Sequence, residues 1–369
     1  MRIVAVGLVV MGAAGFAPGD EPSPPRYPDH TKLLVVRDHE GKETPIHSSA
    51  DWSVRRDHIR AHVQEVMGPL PGGERRVLLD VKFVETIDDN PAYTRKKLSF
   101  ASEPGDRVPA WLLIPKAGRG PHPAMLCLHQ TVKIGKDEPV GLGGKPNLRY
   151  ANELAERGYV TLAPDYPGFG EHDVDPYALG YASASMKAIW DNLRAIDLLT
   201  SLPEVDPGRI GVIGHSLGGH NAIFTAVFDE RLKAVVSSCG FTSFPNYHGG
   251  NLVGWSHKGY MPRIREVYGL DPKQMPFDFP ELLGAIAPRA FFTNSPTRDA
   301  NFDVQGVKIC ISAATDVYKL QRADDQIRAQ YPDAEHDFPL EQRVEAYGFL
   351  DRVLGPDRTR APTESRPSQ

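Results

Sequence analysis

The sequence predicts an α/β fold in which a mostly parallel central sheet is flanked by helices and preceded by an N-terminal accessory segment. Three observations carry that prediction. From Ala124 onward, apolar runs alternate with helical patterns, the rhythm of parallel strands joined by right-handed helical crossovers. Before Ala124, three stretches of alternating hydrophobicity separated by turn residues read as an antiparallel edge of the same sheet. The apolar run Ile210–Ile213 then enters Gly214-His215-Ser216-Leu217-Gly218, and a helical pattern follows over Asn221–Phe228.

Composition sets the outer limits. The chain has 369 residues, 41% hydrophobic and 24% charged, enough apolar material for one large domain with a sizeable core. A formal net charge of -5 and scattered Lys and Arg leave no basic stripe to displace counterions, which argues against a nucleic-acid partner. Cys127, Cys239 and Cys310 permit at most one bridge, and Cys127 and Cys310 lie in apolar runs that suit buried thiols. None has an activating neighbour in sequence, so cysteine catalysis is not expected.

In chain order, residues 1–19 combine Arg2 with an apolar run ending in small residues, the pattern of a signal peptide cleaved after Gly15, Ala17 or Gly19. The run is short of the roughly 20 residues a membrane span needs, so no stable span is expected after processing. No cysteine near its end supports lipid attachment. Residues 20–77 form the accessory segment: a Pro-rich, charged linker to His30, flexible or extended, a short strand or docking segment at Leu33–Val36, and a helix over Asp51–Met67. Asp51 is its candidate N-cap, Trp52, Ile59, Val63 and Val66 share a face, and Gly68-Pro69 ends it.

The main domain covers residues 78–354. Leu78–Thr86, Thr94–Phe100 and Val108–Ile114 are the edge strands, and Ala124–His129 is apolar enough to be buried on both faces. A helix over Tyr150–Arg157, a strand at Tyr159–Ala163 and a long helix over Ala182–Leu202 lead to the strand before Ser216. Leu232–Ser238 is the next strand. An insert at residues 240–284 breaks the rhythm with Phe241, Phe244, Tyr247, His248, Trp255, His257 and Tyr260. Its rings either wall a site by stacking on a sugar or aryl group, or anchor a long loop. Strand Ala290–Asn294, a helix within Val304–Leu320, strand Ile327–Tyr331 and helix Glu341–Leu354 close the domain, and residues 355–369 read as a disordered tail. No internal repeat is present.

The Gly-x-Ser-x-Gly turn points to nucleophilic chemistry. A sharp strand-to-helix turn tolerates Ser216 only if Gly214 and Gly218 lack side chains, and it places the Leu217 N–H at a helix start, where it meets negative charge. A serine hydroxyl needs a base, and the base an orienting acid. His336, in a polar turn after the last strand, is the candidate base; Asp299, after the penultimate strand, is the candidate acid, with Asp303 the alternative. His215, inside the turn, packs beside the serine, while His129 ends an earlier strand and His220 lies on the following helix. A second oxyanion donor belongs to the loop after His129, at Thr131 or alternatively Gln130. Asp165 precedes Ser216 in the chain and reads as a loop-shaping residue. The absence of His-Glu-x-x-His and of a helix-opening Gly-x-Gly-x-x-Gly gives no reason to expect a metal or a dinucleotide cofactor.

At the Ser216 turn, the Leu128-His129 strand end, Asp165-Tyr166-Pro167-Gly168 and His336, the chain resembles the α/β-hydrolase superfamily, in its exported, carbohydrate-esterase-like and dienelactone-hydrolase-like branches. The resemblance runs from about Val108 to Leu354 and is nearest to acetyl xylan esterases. It implies an α/β-hydrolase fold and ester hydrolysis through an acyl-enzyme, on a small ester or acylated carbohydrate. Glucuronoyl esterases are similar around Trp190–Ser216, but carry an arginine directly after the nucleophile where this chain has Leu217. A peptidase on the same fold and a non-catalytic binding protein are the alternative functions. Oligomeric state is not legible.

Overall fold

The computed structural model describes residues 23–118 and 120–355; the expected signal peptide lies outside them, as does the expected C-terminal tail apart from Gly355. Strands β1 (Val35–Arg37) and β2 (Glu43–Pro45) form a small hairpin and precede α1 (Ser49–Met67). Next come β3 (Lys82–Ile87), β4 (Tyr93–Glu103), β5 (Asp106–Pro115) and β6 (His122–Leu128), then α2 (Tyr150–Glu156) and β7 (Val160–Pro164). They are followed by α3 (Ala184–Ser201), β8 (Val205–His215), α4 (Leu217–Phe228) and β9 (Leu232–Ser238). The insert carries 3-10 turns and α5 (Arg263–Glu266), and α6 (Phe279–Ile286) begins inside its last residues. Strand β10 (Ala290–Asn294), α7 (Val304–Leu320), β11 (Ile327–Gln330) and α8 (Leu340–Leu354) complete the chain.

The main sheet has nine strands in the order β11-β10-β9-β8-β6-β7-β5-β4-β3. Strands β11 to β7 in that order are mutually parallel, and β5, β4 and β3 continue antiparallel. The period of two along β6 explains both layers: Ala124, Leu126 and Leu128 enter the larger core with α1, α3, α4, α6 and α7, whereas Met125 and Cys127 enter the second core with α2 and α8. Both faces are covered, which is why the central strands read as unbroken apolar runs. Cys127, Cys239 and Cys310 are buried free thiols.

Two expectations need correction. Ser48, not Asp51, caps α1: its hydroxyl accepts from the Asp51 N–H, while Asp51, at the third helical position, accepts the Ser48 N–H in return. The edge strand begins at Lys82 rather than Leu78, and Leu78 and Phe83 stand exposed. A strand open on both faces has no burial pattern to fix where it begins. The extended segment near the start is pinned rather than loose. Tyr27 is buried, its ring lies under the Arg55 guanidinium, and its hydroxyl bonds the Arg37 N–H and His58 Nδ1. No helix among the described residues is long and apolar enough to cross a membrane.

Candidate active site

The site lies at the carboxyl ends of the parallel strands, and its centre is the turn between β8 and α4. Ser216 has φ 53° and ψ -116°, a strained conformation for a residue with a side chain. Neighbouring glycines make the turn possible. A Cβ on Gly214 would meet the Gly218 carbonyl oxygen at 2.2 Å, and one on Gly218 would meet the Leu128 oxygen at 1.9 Å. The turn is held to the sheet by the Ser216 N–H donating to the Ser238 carbonyl at 2.9 Å. Leu217, buried, opens α4 with its N–H at the positive end of a twelve-residue helix.

The loops after β10 and β11 supply the other two residues. They run side by side: the Thr297 N–H donates to Pro332 and the Arg298 N–H to Ala334. His336 Nδ1 stands 2.9 Å from Asp299 Oδ2 and 3.0 Å from Oδ1. Asp299 also accepts the Asn301 and Phe302 N–H groups at 2.8 and 3.2 Å. Burial alone would raise this carboxyl's pKa, but the His336 imidazole and the two N–H donors outweigh it and hold the group below its ordinary value. Asp303 is elsewhere: exposed, it caps α7 by accepting the Gln305 N–H.

His336 and Ser216 line one cavity of about 260 Å³. Gln130 and Thr131 border it from the β6 loop, and Asp299 joins it through His336, whereas Asp303, at the same end of the sheet, bonds the start of α7 instead. Thr131 Oγ1 is 2.8 Å from the Tyr260 hydroxyl. The β6 loop is held by His129, whose Nε2 accepts the Tyr166 N–H at 3.0 Å and whose Nδ1 donates to the Gln130 carbonyl at 2.6 Å. Burial depresses this imidazole's basicity, keeping the ring neutral in that tautomer. Asp165 shapes the neighbouring loop by accepting the N–H groups of Lys136 and Glu171 and ion-pairing with Lys136 Nζ.

The insert divides between the two roles open to it. Tyr247, Trp255 and Tyr260 wall the cavity, whereas Phe241 and Phe244 are fully buried and stack with or edge onto Phe279 in the core. His220 also lines the cavity, packed against Trp255 and Tyr260 with ring centroids 4.8 and 5.5 Å away, and burial pulls its pKa down to about 3. His215 packs edge-on against His336, centroids 4.8 Å apart, and its Nδ1 bonds Ser238 Oγ at 3.0 Å.

Sequence reasoning missed three contributors. Phe302 covers His336 at 5.9 Å between ring centroids. Asn294 and Cys239 both donate to the Asp337 carbonyl, at 2.9 and 3.4 Å, fixing the loop that carries His336. Only their position at a strand end, or within three residues of one or of a named acid, could have flagged them. A second polar cluster, Asp106, His172 and Asp191, has its ligand-type atoms within 4.8 Å of one another, but Lys187 Nζ sits among them at 2.6 Å from Asp106 and 2.5 Å from Asp191. That ammonium already supplies the positive charge a cation would bring.

Comparison with known proteins agrees with this architecture. A profile described as the Alpha/beta hydrolase family matches residues 141–358. The chain is 28% identical over 310 residues to the YtaP protein of Bacillus subtilis (strain 168), covering 80% of this chain and 98% of that one. It is 36% identical over 150 residues to the quorum-quenching protein AidA of Acinetobacter baumannii, covering 38% of this chain and 47% of that one. Among solved structures, a glucuronoyl esterase from Solibacter usitatus superposes with a TM-score of 0.69 at 19% identity, covering 91% of this chain and 100% of that one. A candidate acetyl xylan esterase from Bacteroides fragilis gives 0.58 at 18% identity, covering 83% and 86%.

Proposed function

Because this chain belongs to the alpha/beta hydrolase family, we propose that it is an exported serine esterase that removes small acyl groups from carbohydrate through an acyl-enzyme. The single observation that supports it most is the convergence at one cavity of the strained Ser216 with His336, itself bonded to Asp299 at 2.9 Å. In this reading His336 Nε2 takes the Ser216 proton as Oγ attacks the ester carbonyl, and Asp299 holds the ring and stabilises the imidazolium. The N–H groups of Leu217 and Thr131 receive the oxyanion, with Gln130 the alternative to Thr131. The imidazolium returns its proton to the departing alcohol. Water then repeats the sequence on the acyl-enzyme to free the acid.

The fold's company and the cavity's walls support the substrate class. Structural neighbours described as glucuronoyl and acetyl xylan esterases support a carbohydrate ester. Leu217 stands where the glucuronoyl esterases carry an arginine, and a cavity of about 260 Å³ bounded by four aromatic rings suits a small acyl group such as acetyl. The apolar run in residues 1–19 supports export. Ser216→Ala is expected to lower kcat on aryl acetates by about a thousandfold or more and to abolish fluorophosphonate labelling. A variant that keeps most of its activity would remove the basis of this reading.

A further inference from the structure

We infer that His336 divides the bound ester: the aromatic cavity takes the acyl group, and a wider groove on the other side of the His336 loop takes the alcohol, a neutral, hydroxyl-rich glycan. The inference rests on the esterase reading above and assigns its second subsite. His336 lines both spaces. Besides the cavity shared with Ser216, it borders a groove of about 670 Å³ together with Lys145, Asn147, Arg298, Asp333, Glu335 and Asp337.

The direction of proton transfer orders the two halves of the ester. As the Ser216 Oγ–carbonyl carbon bond forms, the serine proton passes to His336 Nε2, since Nδ1 is held by Asp299. When the carbon–oxygen bond to the alcohol breaks, the leaving oxygen takes that same proton. It must therefore face the imidazole. The carbonyl oxygen is fixed on the opposite side by the α4 N-terminus and the β6 loop. The acyl chain is left facing Tyr247, Trp255 and Tyr260, and the alcohol extends past His336 into the groove.

The chemistry of the two spaces matches that division. Apart from the His336 imidazole, no aromatic ring among the described residues lines the groove; its two cations, three carboxylates and one amide offer donors and acceptors in mixed array, which suits hydroxyls and disfavours a strongly anionic sugar. The wall is built into the catalytic loops. Buried Glu138 accepts from Gln130 Nε2 at 2.9 Å and from the Lys145 N–H at 3.0 Å, tying the groove to the oxyanion loop. Asn147 donates to Asp337 at 2.6 Å and accepts from Arg343 at 2.9 Å, tying it to the loop of His336.

The test compares one enzyme on two esters of the same acyl group, p-nitrophenyl acetate and acetylated xylo-oligosaccharides. In Lys145→Ala and, separately, Arg298→Ala, the ratio of kcat/KM on the oligosaccharide to that on the aryl ester is expected to fall about tenfold, through KM. The melting temperature of each variant shows whether it is folded, and either variant alone suffices. A ratio unchanged in both overturns the assignment. So does a wild-type enzyme that cleaves p-nitrophenyl acetate and leaves the oligosaccharide intact, a result under which the esterase reading stands. Failure to cleave either ester, with no fluorophosphonate label, would instead take down the esterase reading itself.

Discussion

At Gly218 a methyl group would lie 1.9 Å from the Leu128 oxygen, a backbone atom that cannot swing aside. Gly218→Ala is therefore expected to cost about 2–4 kcal/mol of stability and more than tenfold in kcat/KM on an aryl acetate, both measurable on purified protein. The glycine requirement around Ser216 was legible because the spacing of Gly214 and Gly218 states it directly. The choice between Asp299 and Asp303 was not. Both follow the same strand, and only the pairing of two loops, through Thr297 with Pro332 and Arg298 with Ala334, decides which carboxylate stands on the imidazole. The aromatic insert was equally opaque: Phe244 and Tyr247 are three residues apart, yet one is core and the other cavity wall, with no helical or strand period to sort them.

At the scale of elements, the accessory segment is locked to α6 by buried charge. His30 Nδ1 lies 2.8 Å from Glu281, which also pairs with Arg55, and Asp278 caps the same helix. Burial works against the His30 charge, but Glu281 and then Asp278 overcome it and raise its pKa to about 9. A raised base contributes stability that is complete below about pH 6.5 and fades as pH climbs through 9, worth roughly 3 kcal/mol here. The surrounding groups act elsewhere. Glu281, brought down to about 2 by His30 and Arg55 against its burial, weakens the fold only in strong acid. Burial raises Asp278 to about 7 and lowers His62 to about 4, two effects of opposite slope over most of the interval between those values. Tyr27 and His58 complete the surroundings, and the His58 pKa, lowered first by burial, moves away from the alkaline range. The melting temperature is thus expected to fall between pH 6.5 and 9, and His30→Gln to flatten that decline; an equally steep decline in the variant would refute the assignment. None of this was legible in sequence, because His30 and Glu281 are 251 positions apart. The capping box of α1 was half legible, since Ser48 and Asp51 both favour helix starts and differ only in which bond each makes.

For the molecule as a whole, the central strands were the best-read part and the sheet margins the worst. Strands β6 and β9 and the Ile210–His215 part of β8 are covered on both faces and announce themselves as apolar runs, whereas β3 is exposed along almost its whole length, so that nothing in Lys82, Phe83, Val84 and Glu85 marks where it starts. The same difference predicts local stability. Amide exchange in native protein is expected to be slowest in β6, β8 and β9 and fastest in β3, by about a hundredfold or more; comparable protection across the sheet would contradict it. The close approach of Gly218 to Leu128 has a wider consequence. The Ser216 turn and the loop facing it are spaced by main chain touching main chain, so their separation is independent of any neighbouring side chain's size. Residues such as Tyr247, Trp255 and Tyr260 can thus be exchanged to reshape the cavity while the spacing of Ser216 from the β6 loop is kept.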